Sequence, residues 1–211
     1  MIAAAVLLMQ GFATPARAFD AEIAAAAHSA AVRPHEAAEA LDALANRRGD
    51  PAARALAAWE RGRLALELGE RKTARDLAQG LQAQAEPNQR AAGLLLQALS
   101  ESTHGNTDAA ARDAHAALKL LDQAEGNAAL RSDGLRLLSR AIGSGGDLAT
   151  ALHHLEAAGK LAQAEHDPWR EIEALLEQAK LQSLYRHTER AGEALAAARR
   201  VEEPHHDPVH L

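Results

Sequence analysis

The sequence predicts an all-α fold, an α-solenoid of about five antiparallel helix hairpins. Alanine and other strong helix formers dominate the chain, whereas the β-branched residues that favour strands are few. Aromatic residues make up only 2% of the 211 residues, which is too little bulk for a thick globular core. A pattern of small and aliphatic residues also recurs along the chain, and such a pattern is typical of stacked repeat units.

The repeated pattern begins at a turn residue and continues along one helix face. An Ala follows the turn residue by five positions, an aliphatic residue or Ala by nine, and an Ala or Leu by twelve. The four turn residues lie 36, 41 and 40 residues apart and are Gly69, Gly105, Gly146 and Arg186. The matched positions are Ala74, Ala78 and Leu81; Ala110, Ala114 and Ala117; Ala151, Leu155 and Ala158; and Ala191, Leu195 and Ala198. A fainter copy at Ala37, Leu41 and Leu44 brings the number of units to five.

Apolar residues with helical spacing also precede each turn, so each unit is predicted to be a pair of helices. Helix start signals agree with this pairing: Asp50-Pro51 and Asp167-Pro168 place a capping carboxylate before a proline, and Asp147 follows Gly146. The predicted helices span residues 20–31 and 34–46, 51–68 and 70–85, 88–103 and 107–124, 127–142 and 147–165, and 168–185 and 188–202. Ala74, Ala110, Ala151 and Ala191 are expected where the two helices cross closely.

The residues of these units resemble the tetratricopeptide repeat family. The matches are Gly62, Gly69, Ala74 and Pro87 in the second unit, with Trp59 one residue from the family's aromatic position, and Leu135, Gly146, Ala151 and Ala158 in the fourth. The repeats exceed the family's usual length of about 34 residues, and Ala or Leu replaces the second-helix aromatic. The resemblance is therefore to the longer, degenerate repeats of bacterial exported or sensor proteins, and it implies a right-handed superhelix.

The N-terminus reads MIAAAVLLMQGFATPARA and has the pattern of a secretory signal peptide at residues 1–18. Its apolar run from Ile2 to Met9 is far too short to span a bilayer, and Ala-Arg-Ala favours cleavage after Ala18. No Lys or Arg precedes the apolar run, which is consistent with a start codon further upstream. We expect an exported, periplasmic chain; the alternative is a buried N-terminal helix.

The resemblance implies that the first helix of each pair lines a concave groove that holds a peptide or a partner's helix. Six residues before each turn stand Arg63, Leu99, Arg140 and Lys180, and ten residues before each turn stand Trp59, Leu95, Arg136 and Leu176. We expect the basic residues to form a positive stripe with Trp59 as an apolar anchor, a surface suited to an acidic or C-terminal segment. The alternative is a solvated face on which long basic side chains cover alanines. Trp169 and Tyr185 are expected to pack rather than to contact a ligand.

Several other functions are not expected from this sequence. The net charge is −6 and no basic tract is present, so nucleic acid is an unsuitable partner. The histidine-rich tail from His205 to His210 suits adventitious metal binding. The glycine-rich segment from Gly143 to Asp147 joins two helices, so turn geometry explains it better than a phosphate-binding loop does. His153 and His154 point about 100° apart on one helix and are expected on the surface. We predict no cofactor, no metal site and no enzymatic activity.

The predicted organisation is a signal peptide at 1–18, a repeat domain at 19–202 and a disordered tail at 203–211. The predicted function is an exported protein-interaction scaffold. The alternative is the extracytoplasmic sensory input region of a membrane signalling protein, a diguanylate cyclase or histidine kinase, that lacks its output domain. The ending VEEPHHDPVHL in place of a capping helix favours this alternative. A periplasmic glycan-processing enzyme is a weaker rival, since the groove helices offer mostly bases and aliphatic residues.

Overall fold

A computed structural model describes residues 15–124 and 127–203 of the chain. Within these ranges the chain forms ten α-helices and no strand. The helices are α1 (Pro15–Ser29), α2 (Pro34–Asn46), α3 (Pro51–Glu67), α4 (Arg71–Gln82), α5 (Pro87–Thr103), α6 (Thr107–Gln123), α7 (Ala128–Ser144), α8 (Leu148–Ala164), α9 (Pro168–Leu184) and α10 (Thr188–Glu202). The predicted all-α fold is confirmed, with most helix ends within a few residues of the prediction.

The first helix begins at Pro15, five residues before the predicted start, because proline suits the first turn of a helix. It therefore runs continuously across Ala18, the predicted cleavage site. Residues 1–14, which form most of the predicted signal peptide, and residues 204–211 of the predicted tail lie outside the described residues. None of the helices in the described ranges is both long enough and apolar enough to cross a membrane.

Local sequence signals account for the helix ends. The side chains of Asp50 and Asp167 accept hydrogen bonds from backbone N–H groups two or three residues later, as does that of Asp147. The four repeat turns share one backbone conformation, with positive φ values of 76°, 79° and 108° at Gly69, Gly105 and Gly146, and 59° at Arg186. Glycine adopts this conformation without steric strain, whereas an arginine does so at some expense.

Each helix packs on the next one along the chain, so that consecutive helices form hairpins stacked in a solenoid-like row. The first helices of successive hairpins, α1, α3, α5, α7 and α9, also contact one another in order. The second helices of the described hairpins make no comparable contacts with one another. The row therefore curves towards the first helices, which form its inner layer.

Small residues allow the helices to approach closely. The crossing alanines Ala74, Ala110, Ala151 and Ala191 are all buried, as predicted. A Cβ atom added at Gly62 would overlap Cδ2 of Leu96, and one added at Gly143 would lie 2.7 Å from Cδ2 of Leu181. A larger residue at Gly62 would therefore require the side chain of Leu96 to move, and one at Gly143 would require that of Leu181 to move.

Candidate functional site

The inner layer contains a cavity of about 360 Å³ between α3, α5, α7 and α9. Seven of the eight predicted groove residues line it, namely Trp59, Arg63, Leu99, Arg136, Arg140, Leu176 and Lys180. The other lining residues are Leu66, Glu67, Thr103, Leu137, Glu173 and Glu177. The eighth predicted residue, Leu95, is fully buried behind this surface. The residues predicted by counting back from the repeat turns therefore lie together, although they belong to four separate helices.

The cavity wall forms because equivalent positions recur on successive helices. Residues six and ten positions before a turn are four residues apart and therefore project from one side of a helix. Stacking of the first helices then brings these sides together. Leu66 and Leu99 are half-buried and Leu176 is 37% exposed, so these three leucines form the accessible apolar part of the wall.

Trp59 does not provide the expected apolar anchor for a ligand. Only 1% of its surface is exposed, and its indole Nε1–H donates a 2.8 Å hydrogen bond to Oδ2 of Asp133 on α7. The large ring fills the space between the helices, and the hydrogen bond satisfies its polar edge. Trp59 is therefore a core residue. Leu176 is the exposed apolar residue of the cavity wall, so it is the better candidate for the apolar anchor.

Glu173 of α9 joins two of the predicted basic residues. Its Oε1 accepts a 2.7 Å hydrogen bond from Nη1 of Arg63 on α3, and its Oε2 accepts one from Nη1 of Arg136 on α7. Arg136 also lies 3.4 Å from Asp133. Because Arg63 and Glu173 are 110 residues apart in the chain, these pairs connect the second hairpin directly to the fifth.

Arg170 of α9 forms the second centre of the charged network. Its Nη2 donates to Oε1 of Glu60 at 2.5 Å, its Nε to Oδ2 of Asp133 at 3.2 Å, and its Nη1 to Oδ2 of Asp167 at 2.7 Å. Glu60 also lies 2.9 Å from Nη2 of Arg63. Glu60 and Asp133 are both buried, so their charges depend on these guanidinium groups for compensation.

A third group of charges borders the cavity one helical turn further along α9. Arg140 binds Glu177 with two hydrogen bonds, of 2.7 Å from Nε and 3.0 Å from Nη2. Nζ of Lys180 lies 3.4 Å from the same carboxylate, but its side chain is 70% exposed. Lys180 is therefore the basic residue of this wall that is most available to a ligand.

The expected positive stripe is wrong, because carboxylates that the sequence interpretation overlooked pair with its basic residues. Each of Arg63, Arg136, Arg140 and Lys180 lies within ion-pair distance of at least one carboxylate. The overlooked residues are Glu60, Asp133, Glu173, Glu177 and Arg170. A signal for three of these carboxylates was present: Glu60, Asp133 and Glu177 each precede a predicted basic residue by three positions, a spacing that favours ion pairs on a helix.

The network shifts the pKa values of its carboxyl groups in different directions. Burial alone would raise the pKa of Glu173, but the charges of Arg136 and Arg63 hold it at about 2. Burial likewise opposes ionisation of Glu177, yet the hydrogen bonds and charge of Arg140 lower its pKa. Burial raises the pKa of Glu60 even though Arg63 and Arg170 lie beside it. Glu173 and Glu177 therefore stay ionised at any ordinary pH.

These lowered pKa values predict that acid weakens the fold. A carboxyl group whose pKa is lower in the folded chain than in the unfolded chain contributes stability above its unfolded pKa, and that contribution is lost as the pH falls towards its folded pKa. For Glu173 the window runs from about pH 4.5 down to about pH 2. We expect the melting temperature of the wild type to exceed that of Glu173→Gln near neutral pH, and the difference to shrink across this window. A difference that stays constant down to pH 2 would contradict the assignment.

Other predicted residues lie away from the cavity. The hydroxyl of Tyr185 donates a 2.7 Å hydrogen bond to the carbonyl oxygen of Gly143, so Tyr185 fastens α9 to α7. Trp169 is partly exposed, and its ring lies 4.5 Å from that of His28 on α1. The rings of His153 and His154 are 6.0 Å apart and tilted. The described residues contain no group of three or more potential metal ligands, and the histidine-rich tail is outside them.

A second cavity, of about 460 Å³, lies between α4 and α5. Polar side chains such as Arg75, Gln97 and Glu101 line much of it, and Leu96 also borders it. None of the predicted groove residues borders it, and it lies within one pair of neighbouring helices and the turn that follows. The inner cavity, formed by four hairpins, is the better candidate for a functional site.

No protein-family model matches the chain, and no curated protein matches it.

Proposed function

We propose that the chain is a tetratricopeptide-like interaction scaffold that binds a peptide segment of another protein in its inner cavity. The observation that carries this proposal is the convergence of four first helices on one accessible cavity with an apolar wall and a charged rim. Leu66, Leu99 and Leu176 can bury an apolar side chain of the ligand, since sites of this kind combine apolar walls with a few polar groups. The surrounding charges can then set its orientation.

The charge pairing narrows the kind of peptide that suits this site. Most of the basic side chains already bind carboxylates, so a strongly acidic ligand would compete with internal partners of high affinity. Lys180 is the exception because its weak 3.4 Å contact leaves it largely exposed. We infer a ligand with one apolar anchor against Leu176 and one carboxylate, from a side chain or a C-terminus, beside Lys180.

The cavity is small compared with a protein-binding surface. A volume of about 360 Å³ suits a few side chains rather than a whole helix. Binding is therefore expected to depend on one or two anchor residues of the peptide.

Export to the periplasm and the alternative role as a sensory input region both stay predictions. In the latter role the protein would use the same cavity to bind its signal.

The test of this proposal is selection of peptides from a random display library on the purified full-length chain. Selected peptides should share an apolar residue with a nearby carboxylate, and Leu176→Asp should weaken their binding by about tenfold or more. Lys180→Glu should weaken the carboxylate-bearing peptides and spare analogues without that group.

The matched control for Leu176→Asp is Val32→Asp, because Val32 is an exposed apolar residue in the turn between α1 and α2, far along the chain from the cavity. Binding should be unchanged in this control. Equal losses in the two variants, or selected peptides that bind both variants as tightly as the wild type, would contradict the inner cavity as the binding site.

A further inference from the structure

The cavity between α4 and α5 differs from the equivalent grooves of the later repeats in the polarity of its residues. Arg75, six residues after a turn, and Ser100, five residues before the next turn, both border it. The residues that stand at these two positions in the later grooves are all apolar, namely Ala111 and Ala141 on α6 and α7, and Leu152 and Leu181 on α8 and α9. Leu152 and Leu181 pack together in one apolar cluster. Polar residues therefore stand here where the later repeats place packing residues.

This exchange forgoes apolar burial that the later grooves have. A pair of packed leucines would contribute to stability, whereas Arg75 and Ser100 border a cavity of about 460 Å³. A position that departs from the packing of its own repeat is typical of a functional site, where binding rather than stability determines the residue. The volume also lies within the range of small-molecule sites.

The cavity has one charge of each sign that is available to a ligand. Arg75 is exposed and Glu101 is half-buried, and both border the cavity. Neither lies within ion-pair distance of the other or of any other charged residue in the described ranges; Asp76, next to Arg75, binds Lys72 instead. In the inner cavity, by contrast, each predicted basic residue already has a carboxylate partner.

The side formed by the end of α5 suits an ammonium group. Oε2 of Glu101 accepts a 2.5 Å hydrogen bond from Nδ2 of Asn106, and Oε1 has no partner within the described ranges. Nδ1 of His104 lies 2.6 Å from the carbonyl oxygen of Ser100, which can only accept, so Nε2 of the neutral ring is left as an acceptor. Burial raises the pKa of Asp113 on α6, and the charge of Glu101 raises it further, so a second carboxylate lies near the first.

The side formed by α4 suits a carboxylate. The guanidinium group of Arg75 can donate two parallel hydrogen bonds to such a group. Gln79 stands one helical turn after Arg75, is exposed, borders the same cavity and has an amide that can donate as well. The acceptors and the donors of this cavity thus come from two different helices.

The remaining wall can receive a small apolar side chain. The apolar residues that border the cavity are Ala74, Ala78 and Leu96. We propose that the cavity binds a small zwitterion of the amino-acid class, with its carboxylate on Arg75 and its ammonium group on Glu101. The cavity shares no bordering residue with the inner cavity, so each proposal can fail without the other.

Isothermal titration calorimetry of the full-length chain with a panel of free L-amino acids tests this proposal. Members with aliphatic side chains should bind, and both charged groups of the ligand should be needed. Acetylation of the amine or conversion of the carboxylate to an amide should each weaken binding by about tenfold or more. The absence of binding by every member up to about 10 mM, or equal binding of an amino acid and its two derivatives, would overturn the proposal.

Variants assign the two ends of the ligand. Arg75→Gln should weaken binding by about tenfold and remove the preference for the carboxylate over the amide, whereas Glu101→Gln should remove the preference for the free amine. Arg71→Gln is the matched control, because Arg71 is also exposed on α4 but does not border the cavity. Binding should be unchanged in Arg71→Gln and in Leu176→Asp. Equal losses in the two arginine variants, or preferences that persist in the cavity variants, would contradict the assignment.

Filling the groove as a later repeat does gives an independent test. Arg75→Leu combined with Ser100→Leu introduces the two residues that stand at Leu152 and Leu181. This double variant should lose amino-acid binding, while its melting temperature should equal or exceed that of the wild type because apolar burial increases. A double variant that binds as tightly as the wild type, or one that is less stable, would show that the polar residues of this groove do not serve a ligand.

Discussion

Replacing Arg170 with alanine is expected to lower the free energy of unfolding by about 3–5 kcal/mol, because it removes one partner from a buried charge network. Arg170 compensates Glu60 and Asp133, which are both buried, and also binds Asp167. These three carboxylates hold the pKa of Arg170 well above its usual value although burial opposes its charge. Without Arg170, Glu60 and Asp133 would face each other's negative charge with less compensation.

Urea unfolding followed by circular dichroism would measure this loss, with Lys72→Ala as the control. Lys72 forms an ion pair with Asp76 at 2.6 Å on the exposed side of α4, and such pairs contribute about 0.5 kcal/mol or less. Adding Glu60→Gln to Arg170→Ala should recover part of the lost stability, because it removes one of the two uncompensated charges. A loss for Arg170→Ala no larger than that for Lys72→Ala would show that the network contributes nothing to the fold.

The same network fixes the width of the inner cavity. Arg170 and Glu173, both on α9, bind residues of α3 and α7, and all three helices contribute to the cavity wall. The polar contacts that stabilise the curve of the stack therefore also position Leu176 opposite the leucines of α3 and α5. A ligand that spreads these helices would have to weaken the network, which ties the proposed binding to the curvature of the solenoid.

The helices could be predicted from sequence because their signals are local. A capping carboxylate such as Asp50 and a turn glycine such as Gly69 act on residues within one helical turn of themselves. Arg186 was placed at a turn only because the repeat required one there, and its φ of 59° matches that of the turn glycines. The repeat period therefore predicts a turn at this position, whereas the residue type alone does not.

The face of each helix that borders the cavity could also be predicted, but the burial of its residues could not. Periodicity shows that Trp59 and Leu176 occupy equivalent positions. It does not show that Trp59 is covered by Asp133 on α7, which is 74 residues away in the chain. The curvature of the stack decides such contacts, and curvature depends on packing between hairpins rather than on any one repeat.

The groove was predicted from the positions six and ten residues before each turn, whereas the carboxylates of the network stand nine or thirteen residues before a turn. The contacts of Glu173 cannot be predicted from spacing within one helix, since its partners Arg63 and Arg136 lie on two other helices. The spacing of three between Glu60 and Arg63 predicts one ion pair, yet Glu60 also binds Arg170 from the fifth hairpin. Pairs within a helix are readable from sequence, whereas the links between hairpins require the fold.

Changing Gly93 to alanine is expected to lower the free energy of unfolding by about 1–3 kcal/mol, because the new methyl group would collide with the backbone of the neighbouring helix. A Cβ atom added at Gly93 on α5 would lie 2.7 Å from the carbonyl oxygen of Ala78 and 2.9 Å from the amide nitrogen of Gln82, both on α4. Backbone atoms cannot rotate away as a side chain can, so α4 and α5 would have to separate.

Gly80→Ala is the matched control, since Gly80 is also inside a helix but has nothing within 4 Å of the added Cβ atom. Alanine favours helix over glycine by about 0.5–1 kcal/mol, so this variant should gain stability. The same helix preference acts at Gly93, and the difference between the two variants therefore isolates the cost of separating α4 from α5.

Because α5 also carries Leu99 of the cavity wall, Gly93→Ala should weaken peptide binding as well, whereas Gly80→Ala should not. Equal stability of the two variants would show that the α4–α5 contact can relax without loss, and that the position of Leu99 does not depend on it.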